Sequence, residues 1–438
     1  MTETNILYIN IALYTCFTFY FYLKYGFKNL STIASGAYLV CSIVSLLYYN
    51  TPLFLISFSN TNEIKWEGML WLAIFNFLSC NLLRGFGFQV NTTITGYNDT
   101  FFRRLQKFII ILSLITLIFQ LPSAIMNLLT GNLSDIRNAT YTDGAQVSSN
   151  IVVNLIGRIF GGLNVLLLII PAFNYFVLHN FKKIDIYSLI IYFLLFICTM
   201  GAYVSRSIIV FRLIDCVILY ILLINYIKFK NLKYILFLII PIGFLLSNIF
   251  SAITSSRFGD SAFNKTAEMA ANLRYTGEAQ INFMSMMYDE TTNNAYGYRS
   301  LPLFRKAFGL NYFGQYGIAK EDNLEYLDKI HPYPNYIFYT AGGDMYLDWG
   351  KYLPIIILIL LNVTYYKIKR KDNFQLLLWE YFISFFVIYG VFYASYQNES
   401  SNFLLLFLIY IYYKYYNKKI VLARKNNESL DKIINTSK

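Results

Sequence analysis

The sequence predicts an all-α protein: a polytopic transmembrane helical bundle of about eleven spans that carries one large, partly helical extracytoplasmic loop. Three observations predict it. Hydrophobic residues make up 57% of the 438 and charged residues only 14%, with a mean hydropathy of +0.46, so there are too few charges to coat a soluble protein of this size. Apolar runs long enough to cross a hydrocarbon core of about 30 Å recur along the chain. Lys and Arg collect in every second connection between those runs, the pattern expected when basic loops stay on the cytoplasmic side.

The runs fall near 5–23, 33–57, 66–83, 108–128, 151–178, 186–204, 207–227, 234–250, 345–366, 375–395 and 402–416. The basic connections hold Lys24 and Lys28, then Arg84, Arg103, Arg104 and Lys107, then Lys182 and Lys183, then Lys228, Lys230 and Lys233, then Lys367, Lys369, Arg370 and Lys371, and finally the tail from Lys414 to Lys425. The alternate connections are poor in net positive charge and are expected outside, as is the N-terminus. The chain therefore divides into 1–250, eight spans; 251–351, a large outer loop; 352–417, three more spans; and 418–438, a basic cytoplasmic tail expected to be loosely ordered. The first run has no basic stretch before it and no small-residue cleavage site after it, so it is expected to be a retained span.

Composition also narrows the function classes. The net charge is +12, but the surplus cations sit in short connections and in the tail, which is a topology signal and argues against a nucleic-acid partner. Cys16, Cys41, Cys80, Cys198 and Cys216 all lie in apolar runs, so neither a disulfide framework nor a thiolate metal site is indicated. Aromatic residues reach 19%, which suits interfacial belts. No phosphate-binding glycine loop, no H-E-x-x-H and no internal repeat or set of polar residues at mid-membrane depth is seen, and nothing in the chain calls for a metal or cofactor.

Charges inside spans come first among the candidate residues, because each is costly unless paired or placed in a wet cavity. The run 186–227 must turn outside near Gly201-Ala-Tyr-Val-Ser-Arg206-Ser, and Arg158 and Arg212 lie about two helical turns in from outer ends. Three guanidinium groups then gather near outer headgroup depth, where their forks match the oxygens of a lipid-linked diphosphate. The alternative is that Arg212 pairs with Asp215 at i and i+3 while Arg158 and Arg206 reach to headgroups. Glu380, near an inner end, reads as a structural partner.

The loop supplies a second set. Arg257, Arg274 and Glu278 put cations and an acid on a segment tethered at the membrane, and the Phe and Met residues that follow suggest a helix lying on or dipping into the interface, or simple packing. His331, in the extended His331-Pro-Tyr-Pro-Asn-Tyr336, is either a general base or an ordinary surface histidine. Gly342-Gly343-Asp344 reads as a turn and N-cap, with Asp348 one turn later on the same face. Tyr275 and Tyr339 are placed to stack on sugar faces.

The layout resembles the Wzy-type O-antigen or oligosaccharide repeat-unit polymerases of bacterial envelopes. It rests on Ser205-Arg206, Ser256-Arg257-Phe258, Tyr275-x-Gly277-Glu278-x-x-x-Asn282-Phe283 and Tyr339-Thr340-x-Gly342-Gly343-Asp344 through Asp348-Trp349-Gly350, in that order. One departure is that the Arg followed eleven residues later by Gly, seen in some members, occurs at none of Arg206, Arg257, Arg274 or Arg299. The resemblance implies a metal-independent glycosyltransferase of the bacterial inner membrane, with a periplasmic loop. It would join oligosaccharide repeat units carried on undecaprenyl diphosphate into O-antigen or capsular polysaccharide, beside a flippase and a chain-length regulator. Arg158, Arg206 and Arg257 would then hold the diphosphate, Arg274 the diphosphate or a sugar, and Glu278 or His331 would act as base or sugar contact. An O-antigen ligase and a lipid transporter or flippase are the alternatives.

Overall fold

A computed structural model describes residues 2–51, 63–89, 93–130, 151–203, 207–227, 262–286, 297, 300–304, 339–368, 372–395 and 398–421. Among them the chain is almost wholly helical: α1 Glu3–Tyr25, α2 Leu30–Tyr49, α3 Trp66–Leu82, α4 Asp99–Thr130, α5 Ile151–Phe160, α6 Leu166–Phe176, α7 Lys183–Tyr203, α8 Ser207–Leu222, α9 Ala262–Met286, α10 Thr340–Trp349, α11 Leu353–Ile368, α12 Phe374–Tyr389 and α13 Glu399–Tyr415. Two three-residue strands, β1 Thr93–Thr95 and β2 Lys419–Val421, form an antiparallel pair. Five helices are long and apolar enough to cross a membrane, or six if the bent pair α10–α11 counts as one span. The predicted run 234–250 lies outside the described residues; the other predicted runs fall on helical residues, with 151–178 divided between α5 and α6 and 345–366 between α10 and α11, and with α8, α12 and α13 short, so the described helices do not bear out the expected eleven spans.

Local chemistry sets the helix ends. The side chain of Asn29 accepts from Ser31 N at the start of α2, Asn373 from Gln375 N and Leu376 N at α12, and Asn398 from Ser401 N at α13, so each satisfies an amide that has no intrahelical partner. Gly26 ends α1 with φ 78°, in the left-handed region open to glycine.

Between apolar helices in lipid there is little hydrophobic drive, so packing depends on small residues and interhelical hydrogen bonds. α2 is built for this. Its Ser31 hydroxyl donates to the Cys80 carbonyl of α3 at 2.7 Å, its Ser45 hydroxyl to the Gly277 carbonyl of α9 at 2.7 Å, and its Tyr38 hydroxyl to the Val387 carbonyl of α12 at 3.0 Å.

The basic connections within the described residues meet at one end of the bundle. There Asn29 donates to the Arg84 carbonyl, Lys182 pairs with Asp99 at 3.5 Å, Arg103 pairs with Asp185, Thr95 N donates to the Asp372 carbonyl, and Gly96 N donates to the Lys418 carbonyl. β2 is the beginning of the predicted tail. Its first residues are thus ordered against β1, a correction to the expected loose tail, and the rest of the tail from 422 lies outside the described residues.

A second correction concerns the predicted run 345–366. The chain bends by 115° between α10 and α11, so the apolar helix begins at Leu353 and α10 is a separate element. Gly350, with φ 77°, ends α10 at that bend.

Candidate functional site

At the end opposite the basic connections, α9 is wedged among α1, α2, α3 and α10. Two glycines permit it. A Cβ on Gly277 would come within 2.9 Å of the α2 backbone at Val44 and Ser45, and one on Gly68 of α3 would meet the Met284 backbone at 2.9 Å. From Gly277 to Met286 every residue of α9 is buried. Its Gln280 amide oxygen accepts from Asn10 at 2.8 Å and Ser42 at 2.9 Å, and its amide nitrogen donates to the Tyr38 carbonyl at 3.2 Å. Of the readings open for its Phe and Met cluster, packing is the one observed: α9 penetrates the bundle, where Phe283 contacts the Trp71 ring at 5.2 Å and the Tyr346 ring at 5.7 Å.

Where α9 enters this packing it carries Arg274 and Glu278. Arg274 Nε donates to Glu278 Oε2 at 2.6 Å; the carboxylate side chain is 6% exposed and the guanidinium side chain 41%. Burial raises the Glu278 pKa above the ordinary carboxylate value, and the Arg274 charge opposes that rise. A buried carboxylate beside a half-open cation can take a proton from a hydroxyl or hold a sugar hydroxyl.

α10 closes the same end. Asp344 Oδ2 accepts from Ala394 N at 2.8 Å, and Asp348 Oδ2 accepts from Ser300 N at 2.7 Å. Asp344 was expected to be an N-cap; instead α10 starts at Thr340, whose hydroxyl accepts from Gly343 N at 3.2 Å, and both carboxylates hold backbone amides of neighbouring segments. Gly342 and Gly343 are there for close approach. A Cβ on Gly342 would meet Leu72 and Phe75 of α3 at 3.0 Å, and one on Gly343 would meet Phe283 of α9 at 2.9 Å. Thr340 itself has φ 68°, rare for a β-branched residue, and is held there by Thr340 N to Phe392 O at 2.9 Å and Ala341 N to Gly390 O at 2.7 Å. Tyr339, expected to stack on a sugar, is buried in the core at 1% exposure, so its ring is not presented to a ligand.

The predicted arginines are only partly in view. Arg206, Arg257 and His331 lie outside the described residues, and the side chains of Arg158 on α5 and Tyr275 on α9 do so as well. Arg212 is engaged by its own helix: Nη1 donates to Asp215 Oδ2 at 2.7 Å, the pairing weighed from the i, i+3 spacing. Asp215 also accepts from the Tyr192 hydroxyl of α7 at 2.6 Å and from the Tyr381 hydroxyl of α12. Those tyrosines gave no signal in the sequence, since nothing local sets them apart from the other 38. Glu380 is a structural partner as read, accepting from Gly87 N at 2.9 Å and from the Tyr365 hydroxyl.

Two polar groups thus lie well inside apolar helices: Asn10, Ser42 and Gln280 in one place, and Tyr192, Arg212, Asp215 and Tyr381 in another. They are hard to see in a hydropathy profile because one or two polar side chains leave the mean of a long apolar run high. Among the described residues no group of three or more His, Cys, Asp or Glu is gathered to hold a metal ion. No protein-family model, curated protein or solved structure matches the chain.

Proposed function

We propose that the protein is a membrane-embedded polysaccharide polymerase, joining undecaprenyl-diphosphate-linked oligosaccharide repeat units into O-antigen or capsular polysaccharide at the periplasmic face of the bacterial inner membrane. One observation carries this reading: the first third of the predicted outer loop holds a helix driven into the bundle at the end away from the basic connections, with Glu278 and Arg274 at the point of entry. That is where a lipid anchored in the membrane and a sugar outside it would meet.

In the proposed reaction a hydroxyl at the non-reducing end of the acceptor attacks the anomeric carbon of the donor chain. A new glycosidic C–O bond forms, the C–O bond to the diphosphate breaks, and undecaprenyl diphosphate leaves with the electron pair. Glu278 takes the hydroxyl proton, and its raised pKa brings it closer to the working pH of a base. Arg274 orients the carboxylate, and its charge is the one proposed to meet the diphosphate or a sugar. Arg158, Arg206 and Arg257 are assigned to the diphosphate by sequence alone.

The test is a deletion strain complemented with variants. Loss of a polymerase leaves single repeat units on the final acceptor, and Glu278→Gln or Arg274→Gln is expected to reproduce that pattern with normal amounts of protein in the membrane. Long polymer from both variants would refute the assignment. The polar groups at depth favour a transporter as second reading, because such residues line translocation paths. Lipid-linked units stranded on the inner leaflet of the deletion strain would select it, and a complete absence of transferred chains would select an O-antigen ligase.

A further inference from the structure

The span that begins with α5 is broken in its middle. α5 ends at Phe160, a 3-10 turn covers Gly161–Val165, and α6 starts at Leu166. The two halves are packed unequally. Leu166 to Pro171 of α6 are all buried, and its Asn174 donates to Asp185 Oδ1 at 2.9 Å and accepts from the Tyr97 hydroxyl at 2.7 Å. On α5, by contrast, Leu155 is exposed, and so is Gly157, where an added Cβ would meet nothing within 4 Å. Non-helical backbone at membrane depth is found where protein buries it or where it lines water.

Beside the break lies a cleft of about 30 Å³ between α4 and α5, with Gly157 on its rim. Its polar lining comes from Ser113 and Thr116 of α4 and from Asn164 of the turn. Ser113 stands 14 residues past Asp99 and 17 before Thr130, so the cleft is about 21 Å from one end of α4 and about 25 Å from the other, at mid-membrane depth. Helical hydroxyls in this chain commonly close on the carbonyl four residues back, as those of Ser42, Ser45, Thr199 and Ser384 do at 2.9, 2.8, 2.6 and 2.6 Å. Ser113 leaves its helix instead and donates to Asn164 Oδ1 at 3.1 Å. That bond uses one end of the amide, and Asn164 Nδ2 has no acceptor among the described residues. Ser113 Oγ and Thr116 Oγ1 each donate elsewhere and keep lone pairs able to accept.

We propose that this cleft binds a water molecule in the middle of the membrane, held by Asn164, Ser113 and Thr116 at the joint between the fixed α6 and the looser α5. Water accepts from the Asn164 amide and donates to the two hydroxyl oxygens, and three partners are usual for a buried water. Turning the amide over exchanges a free N–H for a free carbonyl, and water serves either. The volume exceeds the roughly 10–15 Å³ that one water needs. A lipid tail has no atom to accept from the amide. The site stands on the packing of α4 against the broken span and not on the transfer reaction, so it holds or fails apart from Glu278.

The full chain in lipid nanodiscs is given a short X-ray pulse, so that hydroxyl radicals made from bound water oxidise the side chains beside it, and mass spectrometry of the digest reads the rate at each residue. Phe160, in the wall of the cleft, is expected to react about threefold or more faster than Phe173, which is buried in α6, and Phe119, which faces lipid on α4. Ser113→Ala with Asn164→Leu removes the polar lining and is expected to bring Phe160 down to the rate of Phe119. Should that variant not fold, Gly157→Leu takes its place: the position has room for a side chain, the polar lining stays intact, and the rim of the cleft is covered, so the Phe160 rate should fall. Equal rates for Phe160 and Phe119 in the wild type would mean that lipid tails fill the cleft, and would overturn the proposal. An unchanged Phe160 rate in the folded variant would overturn the assignment of the water to these residues.

Discussion

The two ends of the bundle treat their buried charges differently. At the basic end Asp185 accepts from Arg103, from Gln106 at 2.9 Å, from Asn174 at 2.9 Å and from Lys182 N at 2.8 Å, and Asn373 caps α12 while donating to Thr95 at 3.0 Å and to the Tyr416 carbonyl at 2.9 Å. Among the described residues there, the buried side-chain polar atoms other than Gln106 Oε1 and Ser79 Oγ find partners. At the opposite end Glu278 is matched to an arginine that is nearly half exposed, and Arg212 keeps an unused edge. A saturated network holds helices together and has no capacity left for a ligand. A partly saturated one leaves polar atoms in a low-dielectric setting and is costly to keep.

The largest effect should come from breaking the saturated end. Arg103→Ala leaves Asp185 as a buried carboxylate without its cation, and about 3–5 kcal/mol of stability is expected to go. Arg103→Lys is expected to cost about 2 kcal/mol, because one ammonium cannot reach Asp185 and the Asn180 carbonyl together. Arg212→Lys should cost less than about 1 kcal/mol, since only its Nη1 is in use. Thermal unfolding of the three variants in one detergent checks the order. Equal losses for the two lysine variants would erase the contrast between the ends.

Next in size is the seat of α9. Gly277→Val puts side-chain atoms where the α2 backbone already stands at 2.8 Å from an added Cβ, and the neighbour is main chain that cannot swing aside. Overpacking of this kind costs about 1–3 kcal/mol. It should also break the Ser45 hydrogen bond and loosen Gln280, so faster proteolytic cleavage near α9, with α4 and α7 unaffected, is the expected result.

What could be read in the sequence follows from the range of each interaction. Helices show as local hydropathy, so the predicted runs in the described residues fall on helical segments, but the breaks inside 151–178 and 345–366 do not show; the Arg212–Asp215 pair shows as an i, i+3 spacing. Partners distant in sequence do not show. Gln280 meets Asn10, Asp348 meets Ser300, and Thr93 pairs with Val421, none of which leaves a periodic trace. The Gly342-Gly343 pair was visible but ambiguous: a turn and a close helix contact both call for glycine, and only the neighbours of α10 decide between them.

The strand pair at the basic end tests whether that end is as interlocked as its hydrogen bonds suggest. Truncation before Lys418 removes β2 and the Gly96 N to Lys418 O bond of 2.7 Å, while leaving the Asn373 to Tyr416 O bond in place. Net losses of about 0.5–1.5 kcal/mol per hydrogen bond, shared with water at an exposed edge, set an expected cost of about 1–2 kcal/mol. A change too small to measure would show that Asn373 alone holds the segment.

The smallest effect concerns Glu278, and its sign is informative. Burial raises the folded-state pKa above the unfolded value, so the folded chain binds this proton more tightly than the unfolded chain does. Its contribution to stability is therefore fully present below the ordinary glutamate pKa and is lost as the pH rises through the raised value. Glu278→Gln keeps the shape and removes the titration, so it should flatten that part of the stability profile and cost less than about 1 kcal/mol at acid pH. Arg274→Gln should do the reverse, because removing the cation that opposes the rise moves the carboxyl pKa further up and widens the pH range over which stability falls. A wild-type profile that instead gains stability across this range, and loses the gain in Arg274→Gln, would mean that the ion pair outweighs burial. Glu278 would then be a fixed carboxylate matched to its arginine, as Asp185 is at the other end.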